Sequence, residues 1–153
     1  MLKFLFSNET KVDVSSAFFA KIVREFEKIL SRRLMKIVGR EKAEISLILV
    51  GDKKIHELNR KYRMNKPTDV LSFAYWEGKG KGAHENKRGV CLLGDIFISV
   101  DTAKRQARGH KHSLKKELTI LFIHGLLHLA GFDHGNDAEE KEMEKWAKKI
   151  LAL

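Results

Sequence analysis

The chain has 153 residues, 43% of them apolar and 33% charged, with 30 Lys and Arg against 20 Asp and Glu for a formal net charge of +10. That is enough apolar material for one core over residues 1–153, and too even a mixture for disorder. The positive balance points to an acidic partner, nucleic acid before an anionic membrane surface, or else to a solvated Lys-rich surface. A single cysteine, Cys91, excludes an intramolecular disulfide and reads as a small core residue. The start lacks the long apolar run of a signal peptide. The most apolar stretch, residues 118–132, is broken by two histidines and too short to span a bilayer. The expectation is a soluble cytoplasmic protein with no membrane association.

In chain order, Leu2 to Phe6 read as a short strand ended by Ser7-Asn8. Phe18, Phe19, Ile22, Val23, Phe26, Ile29, Leu30 and Leu34 recur at helical spacing, predicting one helix from Ser15 to Val38, capped by Ser15 or Ser16 and stopped by Gly39. Ala43 to Val50 predicts a strand buried on both faces, and Gly51-Asp52 opens a helix reaching Tyr62 with Ile55, Leu58 and Tyr62 inward. Residues 65–68 hold the only proline and read as a turn. Val70 to Tyr75 is a strand, residues 77–88 a glycine- and lysine-rich loop, and Leu93 to Val100 the last strand. Asp69 and Asp95 stand at predicted strand starts, in turn or capping roles. Asp101 is expected to cap a helix through Gly109. Ser113, with Glu117 nearby as in a capping arrangement, starts a helix that runs to Ala130 and stops at Gly131. Asp137 to Leu151 is a final amphipathic helix with Met143, Trp146 and Ile150 inward. Four strands and about five helices predict an α+β (or α/β) layer with a small mixed sheet.

The chemistry concentrates in His124-Gly-Leu-Leu-His128-Leu-Ala-Gly131-Phe-Asp-His134. His124 and His128, four apart on a helix, project from one face with Cβ atoms about 5–6 Å apart, within reach of one ion. Gly131 can take the left-handed conformation that ends the helix and returns His134 towards that ion. Three nitrogens leave a fourth tetrahedral position open, the layout of a catalytic zinc, with copper and nickel left open. The metal site is thus expected on a central helix and the turn after it, with one zinc ion per chain. The spacing also fits the H-E-x-x-H-x-x-G-x-x-H frame of metzincin proteases, except that Gly125 stands where their general-base Glu would be. That departure makes peptide or small-phosphoester hydrolysis the alternative reading.

The segment His124 to His134 resembles the HGxLHLxGxDH signature of the YbeY proteins, bacterial endoribonucleases of ribosomal RNA maturation. Two further segments resemble the same family in the right order: Leu58-Asn-Arg-Lys-Tyr-Arg63 with Pro67-Thr-Asp-Val-Leu-Ser-Phe73, and Leu93-Gly94-Asp95-Ile96. The resemblance implies that His124, His128 and His134 hold zinc and that Arg63 is needed for cleavage. It implies single-strand-specific cleavage in 16S ribosomal RNA maturation and ribosome quality control, with ribosomal proteins or a ribosome-associated GTPase as partners. A non-catalytic assembly factor stapled by zinc is the third reading.

Physical chemistry adds roles beside the resemblance. A guanidinium at Arg63 can hold two phosphate oxygens at once, or simply favour a helix dipole. Asp133 can orient a ligand imidazole or serve as a turn former. Thr68 and Ser72 can donate hydrogen bonds to phosphate. Arg60, Lys61, Arg63 and Lys66 form one basic flank, with Arg60 and Lys66 the candidate substrate contacts. Lys104, Arg105, Arg108, His110, Lys111, His112, Lys115 and Lys116 form the other. Bordering one groove, they make a track for single-stranded RNA; the bland alternative is a solvated helical face.

Overall fold

The computed structural model describes residues 2–39, 42–62, 69–75, 90–133 and 135–152. Among them the elements run β1 (Leu2–Asn8), α1 (Ser16–Ile29), α2 (Ser31–Val38), β2 (Ala43–Val50), α3 (Asp52–Lys61), β3 (Val70–Ala74), β4 (Cys91–Ser99), α4 (Val100–Gly109), α5 (Leu114–Leu129) and α6 (Asp137–Leu151). The sheet order is β1-β2-β4-β3, with β1, β2 and β4 parallel and β3 antiparallel on the edge of β4. This is the small mixed four-stranded sheet of an α+β fold.

Strand alternation decides what each layer contains. Ile45, Leu47 and Leu49 of β2 and Ile96 and Ile98 of β4 are fully buried on one face, against Phe19 and Phe26 of α1 and Phe122 and Leu126 of α5. Val50 and Ile48 face the other way, where Ile55 of α3 and Leu71 of β3 make a smaller cluster. Each fully buried Leu, Ile or Phe contributes about 1.5–3 kcal/mol of transfer free energy. The larger face therefore dominates stability. α5 is its centre, apolar on most of its surface, as a helix buried between layers must be.

Two glycines let α5 approach the sheet so closely. A Cβ on Gly94 of β4 would stand 2.3 Å from the Phe73 carbonyl oxygen and 2.4 Å from Leu129 Cδ2. A Cβ on Gly125 of α5 would stand 2.8 Å from Ile96 Cγ2. Any larger residue at either position pushes helix and strand apart.

Several expectations need correction. The helix expected over residues 15–38 is two helices, broken at Leu30 (φ −106°, ψ 19°), so the total among the described residues is six. Both halves bury the same apolar stripe, which is why periodicity runs through the break. Asp101 does not cap α4. Ser99 does, accepting from the Thr102 amide, while the Asp101 carboxylate accepts from the Asp52 amide at the start of α3, at 2.9 Å. β4 begins at Cys91, so Asp95 lies inside the strand opposite Phe73, where the Tyr75 hydroxyl donates to it at 2.5 Å. Tyr62 is about half exposed, although its ring lies 4.9 Å from that of Phe73. Trp146 is only half-buried. Ser7 and Asn8 do not end β1 but belong to it, paired with Ile48 and Leu49. Ser15 and Ser113 cap α1 and α5 as expected, Gly39 and Gly131 end α2 and α5 at positive φ, and Cys91 is buried. The turn expected at 65–68 and the loop expected at 77–88 fall outside the described residues.

Candidate metal centre

α5 places His124 and His128 one turn apart on a single face, His124 exposed and His128 half-buried. The intervening Gly125, Leu126 and Leu127 are buried, so the imidazoles take the outward stripe of the C-terminal half of the helix. Ala130 caps the helix. Gly131 follows at φ 89°, its amide donating to the His128 carbonyl at 2.9 Å, and the Phe132 amide donates to the Leu127 carbonyl at 3.0 Å. This paired reversal satisfies helix-end carbonyls and turns the chain back immediately beyond His128.

The reversal is held from a distance by a residue that the sequence reading did not single out. Arg33 of α2 donates from Nε to the Ala130 carbonyl at 2.6 Å, and its guanidinium lies 3.9 Å over the buried Phe132 ring. No local signal marks Arg33, because its partner is 97 residues away. Asp133 leaves the turn exposed. His134, Arg63 and Lys66 lie outside the described residues, as does Thr68. The structure thus brings together two of the three expected ligands. Their donor chemistry, two imidazoles a helical turn apart ahead of a tight reversal, fits a zinc ion.

Arg60 is exposed in the last turn of α3, which a second anchor fixes. Asp52 at the start of α3 accepts from the Ser99 hydroxyl at 2.6 Å, the Thr102 hydroxyl at 2.8 Å and Arg105 Nη2 at 2.8 Å. The Ser99 hydrogen bond leads in pulling the Asp52 carboxyl down to about 2, against the opposing effect of burial. Arg105 is therefore committed to Asp52 and drops out of the expected basic track. Arg60, Lys61, Lys104, Arg108, Lys111, Lys115 and Lys116 remain exposed.

A second group of donors lies at the other end of α5. His110, His112 and Glu117 have ligand atoms within 4.8 Å of one another and could hold a metal ion. In the sequence the two histidines look like members of the basic flank and Glu117 like part of a helix cap. Glu117 instead takes both imidazoles, leaving the cap to Ser113 alone.

Comparison with known proteins follows the same lines. The family model described as "Endoribonuclease YbeY" matches residues 6–153. A protein of that name from Pelotomaculum thermopropionicum is 41% identical over 143 residues, 92% of this chain and 89% of that one. One from Bacillus subtilis is 37% identical over 142 residues, 92% of this chain and 90% of that one. The solution structure of a Thermotoga maritima protein superposes with a TM-score of 0.58 at 25% identity, covering 98% of this chain and 90% of that one. Among the described residues no helix is long and apolar enough to cross a membrane. The chain belongs to the Endoribonuclease YbeY family.

Proposed function

We propose that this protein is a zinc-dependent, single-strand-specific endoribonuclease of 16S ribosomal RNA maturation and ribosome quality control. It works in the cytoplasm as one domain over residues 1–153. The observation that carries the reading is the His124–His128 pair on the outward stripe of α5, directly ahead of the reversal at Gly131. His124, His128 and His134 are the proposed ligands of one zinc, with Asp133 orienting an imidazole. When bound, the ion supplies a Lewis acid for a phosphoryl oxygen.

The chain's own residues do the rest. Arg63 orients the scissile phosphate and offsets the charge that develops on it, while Arg60 and Lys66 hold the neighbouring backbone phosphates. Gly125 supports RNA over peptide as the substrate. A protease of the metzincin frame needs a Glu there, and a Cβ at that position already meets Ile96. The attacking group is then deprotonated without that carboxylate, by a group of the substrate or of a ribosomal partner. Ribosomal proteins or a ribosome-associated GTPase are the proposed partners.

The test is cleavage of a single-stranded ribosomal RNA fragment before chelation, after it, and after zinc is restored, beside Arg63→Ala. Chelation is expected to abolish cleavage reversibly, and Arg63→Ala to slow it by about 100-fold or more. Cleavage by the metal-free protein at the holo rate would overturn the reading.

A further inference from the structure

The cluster at the α4–α5 corner has no part in the function proposed above. α4 ends in a reversal: Lys111 stands at φ 54°, its amide donating to the Arg108 carbonyl at 3.2 Å, and the His112 amide donates to the Ala107 carbonyl at 3.1 Å. The turn delivers His110 and His112 to the same carboxylate in the first turn of α5. His110 Nδ1 lies 3.3 Å from Glu117 Oε2, and His112 Nε2 makes a closer contact with the same oxygen. The side chain of Glu117 is 3% exposed, that of His112 16% and that of His110 62%.

A carboxylate so deeply buried calls for a compensating positive charge. An imidazole supplies that charge only when protonated, whereas a divalent cation among the three groups supplies it outright. Two imidazole nitrogens and a carboxylate oxygen are a donor set zinc accepts, at about 2.0–2.2 Å per bond. Tetrahedral ligands at that range stand about 3.3 Å apart, and the His110–Glu117 separation is 3.3 Å. A small rotation of the His112 ring away from Oε2 opens the second edge, and the third, between the two imidazoles, lies within 4.8 Å. The exposed side of His110 leaves room for a fourth ligand from solvent.

We propose that His110, His112 and Glu117 form a second zinc site that clasps the end of α4 to the start of α5. Glu117 and His124 are seven residues apart on one helix, about 10 Å along its axis. Paired catalytic ions sit about 4 Å apart, so the clasp shares no chemistry with the far end of α5. The exposed Arg108, Lys111, Lys115 and Lys116 stand nearby in sequence and oppose a cation. The clasp therefore fills at higher free zinc than the first site.

The test is equilibrium dialysis of the full-length chain against zinc chloride, counting bound zinc in wild type, His110→Ala, His128→Ala and the exposed control His56→Ala. Wild type and His56→Ala are expected to bind about two ions per chain, and His110→Ala and His128→Ala about one each. Because His110 is mostly exposed, His110→Ala is expected to fold, and its melting midpoint to rise less with added zinc than that of wild type. Equal zinc in His110→Ala and wild type would overturn the clasp, whatever His128→Ala does. A loss seen in His110→Ala but not in His128→Ala would uphold the clasp and remove the first site instead.

Discussion

At its C-terminal end α5 turns His124 and His128 outward, while at its N-terminal corner Glu117 draws His110 and His112 in around a buried oxygen. Both corners are built by the same hydrogen-bonded reversal, with Gly131 at the left-handed position of one and Lys111 at that of the other. The difference lies in what surrounds the imidazoles. At the far end a helix packed tightly on the sheet leaves one outward stripe for donors, next to a turn braced by Arg33. At the near end an acid removed from water dictates where the rings go. In the proposed reading, the same residue type serves RNA chemistry in one place and helix-to-helix attachment in the other.

The comparison breaks most violently at Gly125. Introducing the protease-type carboxylate by Gly125→Glu drives a side chain and a charge into Ile96, at an expected cost of about 4 kcal/mol, read by chemical denaturation. A variant as stable as wild type would show that α5 is not pressed on the sheet as described. At the other corner, Glu117→Ala strands two imidazoles beside a cavity and is expected to cost about 3 kcal/mol. His110→Ala removes only the exposed partner and is expected to cost less than about 1 kcal/mol.

The two reversals give a sharper contrast, because equivalent positions respond with opposite sign. Gly131→Ala puts a Cβ into the left-handed region and is expected to lose about 1–2 kcal/mol. Lys111→Gly relieves the same conformation and is expected to gain about 0.5 kcal/mol, after the added freedom of the unfolded chain is subtracted. The smallest effect falls on the brace that holds α3 to α4. The folded-state pKa of Asp52 is lowered from 3.8 to about 2, chiefly by the Ser99 hydroxyl. Its contribution is therefore present above the unfolded value and fades as pH falls towards 2. Asp52→Asn is expected to flatten that part of an acid-denaturation curve.

Much of this was legible in the sequence because local physics decides it. The His124–His128 spacing, the stop at Gly131, the Ser113 cap and α6 from Asp137 to Leu151 all rest on residues within a turn of each other. Part of what escaped depends on partners far along the chain. Asp101 looks like a cap for its own helix, yet it serves Asp52, 49 residues earlier. Leu30 interrupts a helix without glycine or proline, inside an unbroken apolar stripe. Glu117 fits a capping pattern, and only the reversal at Lys111, a residue with no left-handed preference, reveals that it faces two histidines. Gly125 reads in the sequence as a missing base; in the structure a Cβ there meets Ile96 Cγ2 at 2.8 Å, so any side chain has to displace Ile96.

The most direct measurement is cleavage of a single-stranded ribosomal RNA fragment by zinc-loaded wild type, His128→Ala and His110→Ala, each checked for folding. Wild type and His110→Ala are expected to cleave at similar rates, and His128→Ala to be inactive while still folded. Cleavage by folded His128→Ala at the wild-type rate would contradict the assignment of the active metal to the far end of α5.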